Sequence, residues 1–137
     1  MPPFHLAIPV HDLHEADRFY REVLGCAVGR TDPAWIDFNF FGHQLSVHLR
    51  RDALVDSRTN AVDGDAVPVR HFGVVLPWDE WEALAQRLEQ QAWAFLMTPH
   101  VRFAGQVGEQ GTFFVQDPSG NALEFKTFRD PGRLFAS

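Results

Sequence analysis

Cysteine is almost missing from this chain: Cys26 is the only one in 137 residues, which excludes an intrachain disulfide. A bridge-stapled secreted scaffold is therefore not expected, and a cytoplasmic protein is. Cys26 follows Gly25 at a turn with no adjacent histidine in sequence. The expected state of that thiol is buried and inert rather than nucleophilic. Long hydrophobic runs are also lacking. No stretch approaches the roughly 20 apolar residues that a bilayer-spanning helix needs, so no membrane partner is expected. The opening Met1-Pro2-Pro3-Phe4-His5 has neither the basic start nor the apolar stretch of a signal peptide. Basic clusters stop at Arg50–Arg51 and the formal net charge is −6, so nucleic acid is not an expected partner either. Tyrosine is as scarce as cysteine: Tyr20 is the only one, and it falls on an apolar stripe.

What the chain does contain suits one packed globular domain: 45% hydrophobic residues, with 13 Phe and 4 Trp. Its organising feature is an internal repeat. His5-Leu-Ala-Ile-Pro-Val opens one half and His71-Phe-Gly-Val-Val-Leu the other, each a short apolar run that reads as a buried strand. A helical stripe follows each run. In the first half it is Leu13, Ala16, Tyr20, Val23 and Leu24, with Asp12 as N-cap, Glu15 completing a capping-box spacing and Gly25 as the stop. In the second it is Trp78, Trp81, Leu84, Ala85 and Leu88.

Short strands come next. In the first half they are expected near Ala27–Arg30, Trp35–Phe40 and His43–Leu49, and in the second near Ala94–Met97, Thr112–Gln116 and Ala122–Phe128. Gly42 and Asp117-Pro118-Ser119-Gly120 mark tight turns before the last strand of each half. The expected architecture is α+β, two tandem βαβββ modules: residues 1–50, a polar connection at 51–69 containing Asp63-Gly64-Asp65, and residues 70–137. Paired modules would form a curved sheet around one site.

The repeat gives meaning to residues that are ordinary singly. His5 and His71 hold the same position in two copies of one unit, and Glu124 lies on the last strand of the second copy, on the same side as Ala122 and Lys126. Two imidazoles and one carboxylate form the facial set used for Fe(II) and usable by other divalent ions. A buried, unpaired carboxylate is costly, and a divalent cation removes that penalty.

With these pieces assembled, the chain resembles the vicinal oxygen chelate superfamily, which includes glyoxalase I, extradiol dioxygenases, fosfomycin-resistance thiol transferases and bleomycin-resistance proteins. The resemblance rests on His5-Leu-Ala-Ile-Pro-Val-His-Asp-Leu, Phe19-Tyr20-Arg21-Glu22-Val23-Leu24-Gly25, His71-Phe-Gly-Val and Asp117-Pro118-Ser119-Gly120-Asn121-Ala122-Leu123-Glu124-Phe125, which span nearly the whole chain. Phe41-Gly42-His43-Gln44-Leu45 and Gly108-Glu109-Gln110 are similar to the small single-chain, extradiol-type proteins within it. The resemblance implies a metal site at His5, His71 and Glu124, a small-molecule substrate and a homodimer.

In register, Glu124 corresponds to Ser46, where glyoxalase I carries a further carboxylate. Three protein ligands and open positions for substrate and O₂ are therefore expected, as in an extradiol dioxygenase acting on a catechol-like substrate through Fe(II), with Mn, Zn or Ni as other candidates. His48, two residues beyond Ser46 on the same strand face, is the candidate acid/base group; His43 has the opposite parity, and His11 or His100 could reach in from loops. Arg102 and Gln110, both in the loop expected at 98–110, are candidates to contact substrate, with Ser46 as a further candidate and Arg102 also in a catalytic role. Extradiol relatives also carry a tyrosine near the metal, and Tyr20 is the only one here. The alternatives are a metal-dependent thiol transferase or lyase of the glyoxalase or fosfomycin-resistance type, and a non-catalytic drug-binding protein. Trp35, Phe38 and Phe40 are expected in the core rather than as a stacking wall.

Overall fold

The computed structural model describes residues 1–53, 59–62 and 65–136. The first module runs β1 (His5–Val10), α1 (Leu13–Asp17), a π-helical turn (Arg18–Val23), β2 (Ala27–Asp32), β3 (Trp35–Phe40) and β4 (His43–Leu49). A hairpin of β5 (Thr59–Val62) and β6 (Asp65–Pro68) follows. The second module is β7 (Phe72–Val75), α2 (Trp78–Gln90), β8 (Phe95–Arg102), β9 (Gln110–Gln116) and β10 (Ala122–Phe128), and a 3₁₀ turn at Pro131–Arg133 comes after it. Two four-stranded sheets result, in the orders β1-β4-β3-β2 and β7-β10-β9-β8. The strand order is the same in both copies, so the α+β, twice-written βαβββ architecture is what the chain adopts.

The described residues divide into two compact units. One contains the first module together with Asp117–Asn121, and the other the rest of the described chain from β5 onward. In the first unit, Phe38, Leu45 and Val47 point from one sheet face into a core with Phe19, Tyr20 and Val10, all at most 1% exposed. Asp12 caps α1 by accepting from the Glu15 backbone N–H at 2.8 Å, and Gly25 ends the helical segment at φ 83°. The stripe continues through a π turn rather than an α-helix, with Leu24 N–H donating to Phe19 O at 2.9 Å. Spacings of three and four over so short a segment do not separate the two helix types.

Strand β3 corrects the grouping of its aromatic residues. Ile36, Phe38 and Phe40 share the buried face, whereas Trp35 lies on the opposite face with Asp37 and carries Arg30 over its ring at 5.7 Å. An interval of three residues reverses side in a strand. The connection between modules, read from sequence as a polar stretch, contains the hairpin β5–β6; Asp63-Gly64 lie outside the described residues.

In the second unit α2 covers one sheet face. Trp81, 4% exposed, donates from Nε1 to Phe125 O at 2.9 Å. Its ring lies so close to Gly111 that a Cβ there would sit 2.8 Å from it. Strand β8 reaches Arg102, further than expected, because Pro99 sits at a register shift between Met97 and His100 on an edge strand. An edge position tolerates a residue without an N–H. The loop expected at 98–110 is thereby shortened to 103–109, and Arg102 and Gln110 are strand residues facing each other.

Within the first unit, the Asp117 carboxylate gathers four donors. Oδ1 accepts from the backbone of Ser119 and Asn121, and Oδ2 accepts from Tyr20 Oη at 2.8 Å and Asn121 Nδ2 at 2.9 Å. Asn121 Nδ2 also donates to Pro9 O, and Ser119 Oγ accepts from His11 N–H, each at 2.9 Å. Tyr20 is therefore a fully buried structural residue, as expected from its stripe. Removing its hydroxyl in Tyr20→Phe leaves a buried carboxylate short of one donor. The expected loss of stability is about 1–3 kcal/mol with an unchanged m-value, measured by urea denaturation.

Candidate metal centre

The strand registers bear directly on the proposed ligands. In the second unit β7 runs parallel to β10 with Gly73 opposite Glu124, and in the first β1 runs parallel to β4 with Ala7 opposite Ser46. His71 and His5 each stand two residues before those positions, so Ser46 is the positional equivalent of Glu124. Gly73 is what allows the close strand approach: a Cβ there would overlap the Glu124 carbonyl oxygen.

His71 and Glu124 meet. Nε2 of the imidazole lies 3.3 Å from Oε1 of the carboxylate, with side chains 31% and 18% exposed. His71 Nδ1 is 2.7 Å from Pro68 O, an atom that can only accept, so Nδ1 carries the proton and donates. Nε2 of the neutral ring is then a bare acceptor facing a second acceptor, an arrangement resolved by a cation between them or by a second proton on the ring. Two neighbouring ligands on one divalent ion, each about 2.1 Å from it, lie roughly 3.0–3.4 Å apart. The observed separation fits. Thr112 Oγ1 donates to Glu124 Oε2 at 2.6 Å, leaving Oε1 toward His71, and Phe114 packs edge-on against the imidazole with centroids 5.0 Å apart. Fixing both donor groups by partners outside the ligand set is how metal ligands are oriented.

The pair opens onto a cavity of about 240 Å³ lined by Val67, Met97, Phe114, Thr112, Lys126 and Arg102, with Gln110 and His100 also on its wall. Two of the sequence candidates, Arg102 and Gln110, thus share a cavity with His71 and Glu124. Thr112 and Lys126 were not singled out from sequence. Thr112 could have been found from its place opposite Lys126, two residues along β9 from Phe114, the partner of Glu124.

His5, Ser46 and His48 belong to the first unit. His5 opens β1, is exposed, and lies opposite Gln44. His48 is exposed on β4 and shares its face with Ser46. Among the described residues no three His, Cys, Asp or Glu side chains gather as a ready-made metal cluster. His43 Nδ1 accepts from Phe4 N–H at 2.8 Å, and His11 bonds Ser119 and Glu15.

Ser46 has a partner that sequence reading missed. Its hydroxyl donates to Asp37 Oδ1 at 2.5 Å across the β3–β4 ladder, while Gln44 and Arg30 donate to Oδ2 at 3.2 and 3.3 Å. Asp37 is only 7% exposed, yet the Ser46 hydrogen bond, then those of Gln44 and Arg30, hold its carboxyl below the ordinary 3.8 against the effect of burial. Asp117 shifts oppositely: burial raises it above 3.8 despite donation from Asn121, Tyr20 and Ser119.

The sequence model of the Glyoxalase/Bleomycin resistance protein/Dioxygenase superfamily matches residues 3–125, and the chain belongs to that superfamily. Among solved structures, a glyoxalase/bleomycin resistance protein/dioxygenase from Alicyclobacillus acidocaldarius is 37% identical, with 98% of this chain and 96% of that one covered and a TM-score of 0.81. A glyoxalase/dioxygenase from Nostoc punctiforme shares the fold at 13% identity, covering 94% and 92% with a TM-score of 0.70. So does a lactoylglutathione lyase from Agrobacterium tumefaciens, at 20% identity, full coverage of both chains and a TM-score of 0.65. No curated protein matches the chain.

Two outcomes test this geometry. Gly73→Ala forces β7 away from β10, and a fall in thermal midpoint of several degrees is expected by calorimetry, with weakened protection of the β7 amides from hydrogen exchange. Carboxyl NMR titration is expected to place Asp37 below 3.8 and Asp117 above it. The linkage signs then oppose. Asp37 contributes stability in full above 3.8, lost as pH falls through its lowered value. Asp117 contributes stability below 3.8, lost as pH rises through its raised value.

Proposed function

We propose that the chain is a metal-dependent oxidoreductase of the extradiol dioxygenase type, acting on a small catechol-like substrate with two neighbouring oxygens. The metal is held by His71 and Glu124 with His5 as the third protein ligand, the assembly is a homodimer, and the protein works in the cytoplasm. The observation that carries this reading is the His71–Glu124 pair, whose orientation is set by Pro68 and Thr112 before any ion arrives. Fe(II) is the preferred ion, with Mn, Zn or Ni as alternatives. When bound, it would supply Lewis acidity and one-electron chemistry.

The chain's own residues have simpler tasks. Val67, Met97 and Phe114 form a buried apolar floor that excludes water beneath a ring. Gln110 and Arg102 donate to substrate oxygens at the far side of the cavity. On the first unit, the Ser46 O–H donates a hydrogen bond to Asp37, so its oxygen is left to accept from a substrate hydroxyl, and His48 serves as acid or base on the same face.

A second reading has specific support: a metal-dependent thiol transferase or lyase. Tyr20, the only tyrosine, is fully buried against Asp117 and so cannot face a substrate, while two basic side chains, Arg102 and Lys126, line the cavity.

Purified anaerobically, the protein is expected to carry about one equivalent of divalent metal, lost in His71→Ala, Glu124→Ala and His5→Ala. Equal metal content in wild type and all three variants would overturn the assignment. With Fe(II) restored, oxygen uptake on a catechol panel separates the two readings. Consumption of glutathione on an epoxide phosphonate, without oxygen uptake, selects the transferase.

A further inference from the structure

The composition holds an asymmetry between its two basic residue types. Of the 12 cationic side chains in the sequence, Lys126 is the only lysine. It does not sit on an outer rim; it lines the cavity of the second unit, together with Arg102. The same wall carries His71 and His100, against one carboxylate, Glu124.

The β-ladder gives these groups an order. Glu124 pairs with Phe114 and Phe114 with Met97, which makes one row across β10, β9 and β8. The next row is Lys126, Thr112 and His100, and the one after it pairs Gln110 with Arg102. Alternate residues face the same side, and successive rows stand about 7 Å apart along the strands. A molecule placed with its oxygens at the His71–Glu124 end therefore lies over the apolar floor of Phe114 and Met97, then past Lys126, toward Arg102.

The volume suits a ring. A cavity of about 150 Å³ accommodates benzene. The cavity here is about 240 Å³, enough for a single substituted ring.

We propose that this cavity binds a single-ring substrate carrying an anionic group, carboxylate or phosphonate, held by Lys126 and Arg102 at the end away from His71 and Glu124. The inference builds on the catechol-like reading above, and it adds the substituent that reading leaves open. Arg102 supplies a planar fork suited to two oxygens of one oxyanion. Lys126 supplies a point charge nearer the ring. Its ammonium lies 5.7 Å from the Phe128 ring centroid, a contact that an incoming anion need not break.

Because the chain has one lysine, the test can watch it directly. Reductive methylation with ¹³C-formaldehyde gives one side-chain dimethylammonium resonance, distinct from that of the N-terminus. In metal-free protein, titration with benzoate or phenylphosphonate is expected to shift this signal saturably. Neutral benzamide is expected to leave it in place. In metal-loaded protein, 4-carboxycatechol is expected to bind about tenfold more tightly than catechol by calorimetry. That preference is expected to fall to about unity in Lys126→Gln/Arg102→Gln and to persist in Lys126→Arg, with thermal midpoints showing that each variant is folded.

Equal affinity for catechol and 4-carboxycatechol would overturn the proposal, as would a preference that survives in the double variant. A protein that holds no metal but still shifts its lysine signal with benzoate refutes the metal reading alone. Preference for phenylphosphonate over benzoate would identify the anion as a phosphonate, and the reverse as a carboxylate.

Discussion

Each module depends on the parallel pairing of its first strand with its last. A parallel ladder cannot be closed by a tight turn, so the chain must travel through a helix and two further strands before it returns. That journey produces the βαβββ unit, and the ladder it closes fixes which residues stand side by side. In the second unit the pairing brings the backbone of β7 against Glu124 at a place where only hydrogen fits, which is why residue 73 is glycine. The contact of imidazole with carboxylate follows from this register.

Much of this was readable from residue order. Strands β1, β3, β4 and β10 begin and end where alternation and turn residues placed them. The Asp12 cap and the Gly25 stop behave as their chemistry dictates. The equivalence of Ser46 with Glu124 emerges from the two ladders as it did from the repeat. What remained hidden has physical causes. Pro99 disguised the middle of β8, since proline argues against a strand unless its edge position is known. Trp35 was grouped with Phe38 although an odd interval sets them on opposite faces. Lys126 was placed on the side of Glu124 but given no role, because sequence alone does not say which groups from β8 and β9 share that side.

The two buried aspartates show the same limit. Asp37 and Asp117 are 7% and 4% exposed, and nothing in their sequence neighbourhoods separates them electrostatically. Arg30 comes from β2 and Ser46 from β4 to hold the first as an anion. The second accepts donors too, but burial outweighs them. Burial of a carboxylate therefore says little until its donors and the solvent it has lost are weighed together.

The turn Asp117–Asn121 leaves the strands it connects in order to join the first unit, and this bears on modularity. A duplicated unit invites treatment as two separable beads on a string. Here the second copy lends five residues to the first, and Tyr20, Pro9 and His11 all take partners from them. A first half made without residues 117–121 would lack the acceptor that Tyr20 Oη uses. The repeat is a record of symmetry in the sequence, whereas the folded halves have lost their independence, and neither could be exchanged for the other without rebuilding that turn.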